Sequence, residues 1–404
     1  MSDIISFLIV TLPFSIYYKA PFLVNNLSIF IEIIILLLIL ISALSCIKNT
    51  YINLIKINIL PIWLLAISMI ALISKKYVMF NLSYFNQLTN IIIVSIIICF
   101  SRYYINDKFI GIYQFISILC VIYIYFQIIL FYEKKIILTG AIPFLKVDEV
   151  YYDFFHISYS NNIRFRPSSF FSEPSHYSLY ILPSLCLLLF KESHRKIRIS
   201  EIIYLIASSF SILLSGSWNG IIMMIIIYFY FIFYRLHNRY HNKVLTIVLI
   251  IICIAVIILQ FNKIILSENV FLSLFSIKSE YRIWRGFDLY SKLPLFDKVF
   301  GIGYRNLTNY HNRYNISSIF DASNSMVNYE YLNMLSQILI YSGLIGLIIF
   351  IIGVIDLFSK SISGSRAIII CFIILGISSS ILLDPTWMLY ICLILASNQR
   401  RSYA

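Results

Sequence analysis

The chain has 404 residues, of which 60% are hydrophobic and 12% charged. Its mean hydropathy of +0.89 excludes a soluble globular domain, which carries roughly twice that charge. The net charge of +13 does not mark a nucleic-acid-binding protein, because much of it lies in short loops between apolar runs, as cytoplasmic membrane loops require.

A transmembrane helix needs roughly 20 apolar residues, fewer where it is buried among other helices. In chain order the candidate spans are 4–18, 28–47, 57–74, 84–100, 109–132, 177–190, 201–215, 219–234, 244–261, 331–357, 367–382 and 386–397. The reading is an all-α polytopic membrane protein of about 12 transmembrane helices, one integral membrane domain over 1–404. The run from Ile4 has no basic n-region and no small-residue cleavage site, so it reads as a retained helix. Pro13, Pro61 and Pro183 lie inside runs and predict kinks. The seven cysteines lie in or beside apolar runs without Cys-x-x-Cys or Cys/His metal spacing. Neither a disulfide framework nor a zinc site is indicated.

Lys191, Arg195, Lys196 and Arg198 share one short loop, and Arg235, Arg239 and Lys243 share the next loop on the same side. With every span in place these loops are cytoplasmic, and so are both termini. Lys75 and Lys76 are the exception, on the outer side. Two long segments, about 133–176 and 262–330, then lie outside. Both are too polar to cross lipid as irregular chain, and segments of that length in a compact protein usually carry function.

The first external segment ends in Arg164-Phe-Arg-Pro-Ser-Ser-Phe-Phe-Ser-Glu-Pro-Ser-His-Tyr177. Arg164 and Arg166 are two apart and point the same way in an extended chain. Pro167 and Pro174 fix the backbone around them. Glu173 and His176 stand where the chain re-enters the membrane, and charge there is costly unless it meets water, a partner or a substrate. The alternative is an interfacial loop whose arginines pair with lipid headgroups and whose Glu173 caps the next helix.

Ser215-Gly-Ser-Trp-Asn-Gly220 reads as a small polar turn between two spans. In the second external segment Arg282, Arg285 and Asp288 recur every three residues and share a helical face, with Ile283, Trp284 and Phe287 on an apolar side. Such a helix would offer rigid, permanently charged guanidiniums to a phosphate. The alternative is an Arg285–Asp288 surface pair, worth under about 1 kcal/mol. Phe300-Gly-Ile-Gly-Tyr-Arg-Asn306 allows a tight turn. Tyr310, His311, Arg313 and Asp321 follow in the same external segment. Tyr341-Ser-Gly-Leu-Ile-Gly346 places small residues three apart, a pattern for close helix packing. Acids within spans are few; Glu32 is the main one, and no ladder of them suggests a proton path.

The order of these pieces resembles that of the Wzy-type O-antigen and capsule polymerases, within the O-antigen ligase/polymerase superfamily. Arg166 through Ser175 is similar to that family's Arg-x-x-Gly-x-x-x-Glu-Pro segment, and Ser215 through Gly220 to its Ser-x-Ser-Arg-x-Gly turn. Arg282 through Gly303 resembles its Arg-(loop)-Phe-Gly-x-Gly segment, and Asn328 through Gly346 its Asn-x-Tyr-Leu…Gly-Leu-Ile-Gly re-entry helix. The likeness covers about 160–350. Ser169 and Trp218 stand where the family often has Gly and Arg, and Val327 stands where ligase-type members often have His.

The resemblance implies a GT-C-like fold and an inverting glycosyltransferase on the outer face of the bacterial inner membrane. Its substrates would be undecaprenyl-pyrophosphate-linked glycans in the lipid bilayer, with a chain-length regulator and a flippase as possible partners and no nucleic acid. Arg166, Arg282 and Arg285 are the expected cations for the leaving pyrophosphate, with Arg164 and Arg305 beside them. Glu173 is the expected proton acceptor or arginine-orienting group, with His176 or His311 as the second choice. Tyr310, His311 and Asn328 are expected to bind substrate. Arginines could replace a metal at the pyrophosphate, so no cofactor and no metal are expected. A ligase of the same superfamily and a lipid-linked oligosaccharide flippase are the alternatives. The flippase lacks the paired repeats or intramembrane charges common in transporters.

Overall fold

The computed structural model describes residues 1–20, 27–45, 56–74, 82–101, 104–148, 151, 165–190, 198–240, 284–318, 321 and 332–399. Among these the protein is all-helical, with a single isolated bridge between Tyr18 and Val147. The helices are α1 (Ser2–Ser15), α2 (Leu27–Ser45), α3 (Ile59–Ser74), α4 (Leu82–Cys99), α5 (Asp107–Lys134), α6 (Pro174–Leu189), α7 (Ile199–Ser215) and α8 (Trp218–Tyr240), then α9 (Leu295–Phe300), α10 (Leu307–Tyr314), α11 (Met334–Lys360), α12 (Ser363–Ser378) and α13 (Pro385–Gln399). Helices occupy the expected runs except 244–261, which lies outside the described residues. Among the described residues three helical stretches, Lys56–Ile73, Lys108–Lys134 and Met334–Lys360, are long and apolar enough to cross a membrane; several other apolar helices are shorter.

The helix ends follow local chemistry. Asn106 starts α5 by accepting hydrogen bonds from the backbone of Lys108 and Phe109, and Asn333 starts α11 by accepting from Ser336 N at 2.8 Å. Helix α7 stops at Gly216, whose φ of 63° is left-handed. Pro61 falls in the first turn of α3, where a proline ring is tolerated, so the kink expected there is not required. A helix break sits instead at Gly343 (φ 68°, ψ −170°) within α11.

Helix α13 is apolar all round and lies at the centre, with Trp387 through Ile394 almost wholly buried. It packs against α1, α5, α6 and α12. The outward faces carry large apolar side chains such as Ile73, Ile199, Ile203 and Phe115, the surface a bilayer would cover. Charge separates to the two ends. At one end Lys108 pairs with Asp3 (2.8 Å), and Lys56 and Lys360 pair with Asp356 (3.5 and 2.8 Å). The other end gathers the close of α1, α7 and α12 and the start of α2, α6, α8 and α13.

The two glycine motifs of the second half meet at that second end. Gly301 and Gly303 have φ of 89° and 88°, and the turn they form lies on the break in α11. Ile302 N donates to Ile340 O and Gly303 N to Tyr341 O, both at 3.0 Å. Trp63 Nε1 donates to Ser342 O at 2.9 Å. The break frees carbonyls that the glycine turn and a tryptophan then satisfy. The small residues of Tyr341–Gly346 therefore serve a broken helix and a backbone-to-backbone contact.

Candidate polar site at one end of the bundle

The segment after Arg164 is pinned by its aromatic residues. Phe165 stacks on Phe131 (4.3 Å) and Phe170 on Tyr123 (4.4 Å). Phe171 packs against Phe14, Tyr17 and Tyr180. Between them Ser169 takes a left-handed φ of 56°, a conformation glycine adopts more cheaply. Its Oγ donates to Cys120 O at 2.9 Å, and its N–H donates to Gln127 Oε1 at 2.9 Å. The serine is held by hydrogen bonds where the resembled family often has Gly. Ser169→Ala is expected to lower stability by about 1 kcal/mol, the worth of a hydrogen bond, whereas Ser169→Gly relieves backbone strain and stays closer to the native protein. Thermal unfolding in detergent ranks the two.

This anchoring leaves Arg166 exposed, with its Nη2 donating to Gly216 O at 2.7 Å. The first motif thereby docks on the Ser215–Gly220 turn and brings a guanidinium to it, although Trp218 stands where the resembled family often has Arg. Glu173 stands at the N-cap position of α6 but makes no side-chain cap bond. Its Oε2 accepts from Ser175 Oγ at 3.0 Å, and its charge acts on Arg166. His176, in the first turn of α6, meets the Tyr17 hydroxyl through Nδ1 at 2.6 Å.

Tyr17 follows α1 and ties three elements together. Its carbonyl accepts from Asp148 N at 2.9 Å, and its ring meets Tyr151 edge-on at 5.2 Å. Glu173 and Asp384 act electrostatically on both tyrosines, and Arg305 acts on Tyr151. Arg305 emerges from the glycine turn with a left-handed φ of 50°. Its guanidinium lies 5.4 Å from the centre of the Tyr304 ring, and the Tyr304 hydroxyl donates to Leu382 O at 3.1 Å. That contact sets Arg305 beside the loop joining α12 to α13, which carries Asp384. Asp384 Oδ1 accepts from Trp387 N at 2.8 Å, capping α13. Burial pushes the Asp384 carboxyl up to about 7, against the pull of the Trp387 and Thr386 N–H groups and of Arg305. Glu32, 2% exposed near the start of α2, is within electrostatic reach of Asp384 and Arg305.

The other expected site residues lie apart from this cluster. Arg285, in a helical stretch over 284–291, is fully buried, and its Nε donates to Asp321 Oδ1 at 2.7 Å. Trp284 is the exposed one, so the face is inverted relative to the amphipathic expectation. The Arg285–Asp288 surface pair does not form in this way: Asp288 pairs with Lys292 at 3.0 Å and accepts from Ser318 Oγ at 2.8 Å. Tyr310 is buried and its hydroxyl donates to Asp297 Oδ2 at 2.8 Å. His311 Nδ1 meets the Ile316 carbonyl. Arg164, Arg282 and Asn328 lie outside the described residues. Among the described residues no group of three or more His, Cys, Asp or Glu side chains could hold a metal ion.

Tyr17, Tyr151 and Asp384 were not singled out in sequence. The signal for Asp384 is an acid directly before Pro385 at the start of an apolar helix, a cap pattern. No protein-family model matches the chain, and no curated protein matches it.

Proposed function

We propose that this protein is a membrane glycosyltransferase that polymerises undecaprenyl-pyrophosphate-linked oligosaccharide repeat units into O-antigen or capsular polysaccharide. It would work on the outer face of the bacterial inner membrane, with both termini cytoplasmic and a GT-C-like arrangement of about 12 spans. The observation that supports this reading is convergence. Segments more than a hundred residues apart, carrying Arg166, Glu173, His176 and Arg305, come to one end of the helical bundle. Charge at the boundary of an apolar bundle is costly unless it meets water, a partner or a substrate, and the reading proposed is a substrate.

In the proposed reaction the terminal hydroxyl of one lipid-linked unit attacks the anomeric carbon of the growing chain. The C1–O bond to phosphate breaks, and its electron pair leaves on undecaprenyl pyrophosphate. Arg166 and Arg305 are both exposed and supply fixed positive charge where negative charge develops. Arg166 uses Nη2 to hold the Gly216 carbonyl, and a guanidinium has five N–H donors in all. Glu173 orients Arg166, which its charge reaches. Arg285 is buried on Asp321 and ties the helical stretch over 284–291 to that residue. Arg282 remains a proposed pyrophosphate cation. A chain-length regulator and a flippase are the proposed partners.

The test is reconstitution of the purified protein in lipid nanodiscs with an undecaprenyl-pyrophosphate-linked repeat unit. The expected product is a ladder of multiples on the lipid carrier. Arg166→Ala and Arg305→Ala should each slow its formation by roughly 10²–10³-fold, far beyond the stability loss of about 1–3 kcal/mol expected from the Arg166–Gly216 hydrogen bond. Arg166→Lys should recover only part of the rate, since Lys lacks the planar fork. A wild-type protein that makes no ladder would overturn the reading.

A further inference from the structure

Glycosyl transfer to a hydroxyl needs a group to take the proton, and the groups at this end of the bundle are unequally placed to do so. Glu173 is engaged with Ser175 and acts on Arg166, which suits an orienting role. His176 Nδ1 is occupied by the Tyr17 hydroxyl. Asp384 is a further candidate. It lies half-buried in the loop between α12 and α13, with Oδ1 on the Trp387 N–H.

The titratable and charged groups coupled electrostatically to Asp384 come from several segments. They are Tyr17 after α1, Glu32 from α2, Tyr151 from the first external segment and Arg305 from the glycine turn. Glu32 is the independent sign that this is more than a helix cap. It is 2% exposed in an apolar helix, and its Oε2 has no hydrogen-bond partner among the described residues. A buried carboxyl is costly unless a partner or a function retains it. Glu32 is within electrostatic reach of Asp384 and Arg305.

Resting on the polymerase reading, we propose that Asp384 accepts the proton of the acceptor hydroxyl, with Arg305 as the neighbouring cation that keeps its carboxylate charged. The hydroxyl proton passes to the Asp384 carboxylate as the new O–C1 bond forms. The C1–O bond to phosphate breaks, and Asp384 then returns the proton to water. A general base works best when its proton affinity matches the working pH, and burial has brought Asp384 to about 7. Arg305 holds it from rising further.

The experiment is the pH profile of ladder formation in nanodiscs by the wild type, Asp384→Asn and Arg305→Gln, with undecaprenyl-pyrophosphate-linked repeat unit as the probe. Asn caps a helix as well as Asp does, so Asp384→Asn keeps the start of α13 while removing the base. The wild-type rate should rise with pH through about 7. Asp384→Asn should lose that limb and roughly 10²-fold or more in rate, with unchanged thermal unfolding, and Asp384→Glu should restore part of both. In Arg305→Gln the limb should move to higher pH, because a neighbouring cation has been removed, on top of the overall loss of rate expected from removing a pyrophosphate cation. If the wild type makes no ladder, the polymerase reading fails and this assignment falls with it. If the wild type makes a ladder and Asp384→Asn keeps both rate and limb, the assignment alone is wrong.

Discussion

Gly301→Ala and Gly343→Ala each prevent accumulation of folded protein, whereas Gly111→Ala does not. A Cβ built on Gly301 would stand 2.3 Å from the Tyr341 carbonyl oxygen, and one on Gly343 would stand 2.3 Å from the Val299 carbonyl oxygen. Both neighbours are backbone, so neither can swing aside as the tip of a side chain would. Both glycines also have left-handed φ, 89° and 68°, which costs a residue with a Cβ about 1–3 kcal/mol. Overpacking adds about 1–3 kcal/mol. Together these are a large part of the margin of about 5–15 kcal/mol that holds a protein folded. Gly111 lies in the regular helix α5 with nothing within 4 Å of its added Cβ, so Ala there gains helix propensity of up to about 1 kcal/mol. Monodisperse yield and thermal unfolding in one detergent compare the three. Normal folding of Gly343→Ala would contradict the docking of the glycine turn on the broken helix.

Arg285→Met is the second large effect, and it acts on stability. The guanidinium is fully buried and paired at 2.7 Å with Asp321. Asp321 Oδ2 also accepts from Ser318 N at 2.8 Å, so the carboxylate braces the chain on both sides. Removing the arginine alone leaves a buried charge without its counter-ion, which costs about 3–5 kcal/mol. Replacing both partners by apolar residues of similar volume, Arg285→Met with Asp321→Leu, should recover most of that loss. The measurement is thermal unfolding of the two single variants and the double. An Arg285→Met protein that melts normally but makes no polymer would instead place this arginine at the pyrophosphate.

The helical framework was legible because apolar runs and their polar breaks are local properties of the chain. Boundaries moved by a few residues. The expected span 367–382 became Ser363–Ser378, with Ser379 O accepting from Met334 N at 3.0 Å. That shift opens the loop carrying Asp384. Arg166, Glu173, His176 and Arg305 were legible as charges standing out against apolar surroundings. What joins them was not. The partner of Gly301 is a helix break forty residues on, and the partner of His176 is a tyrosine in the first twenty residues. Arg285 looked like a surface cation beside Trp284 because its counter-ion, Asp321, is thirty-six residues away in sequence. Ser169 and Trp218 looked like departures from the resembled family. In the fold, one is a left-handed serine held by two hydrogen bonds and the other borders a turn that receives Arg166.

The most direct test of the polymerase reading is the surface glycan profile of cells lacking this protein, run beside cells carrying Arg166→Ala at matched membrane levels. The account predicts the same result in both: a single repeat unit on its final acceptor, with no longer ladder. Long chains stranded on the lipid carrier would contradict it and identify a ligase. A ladder that survives the substitution but not the deletion would keep the protein in the pathway and remove Arg166 from its chemistry.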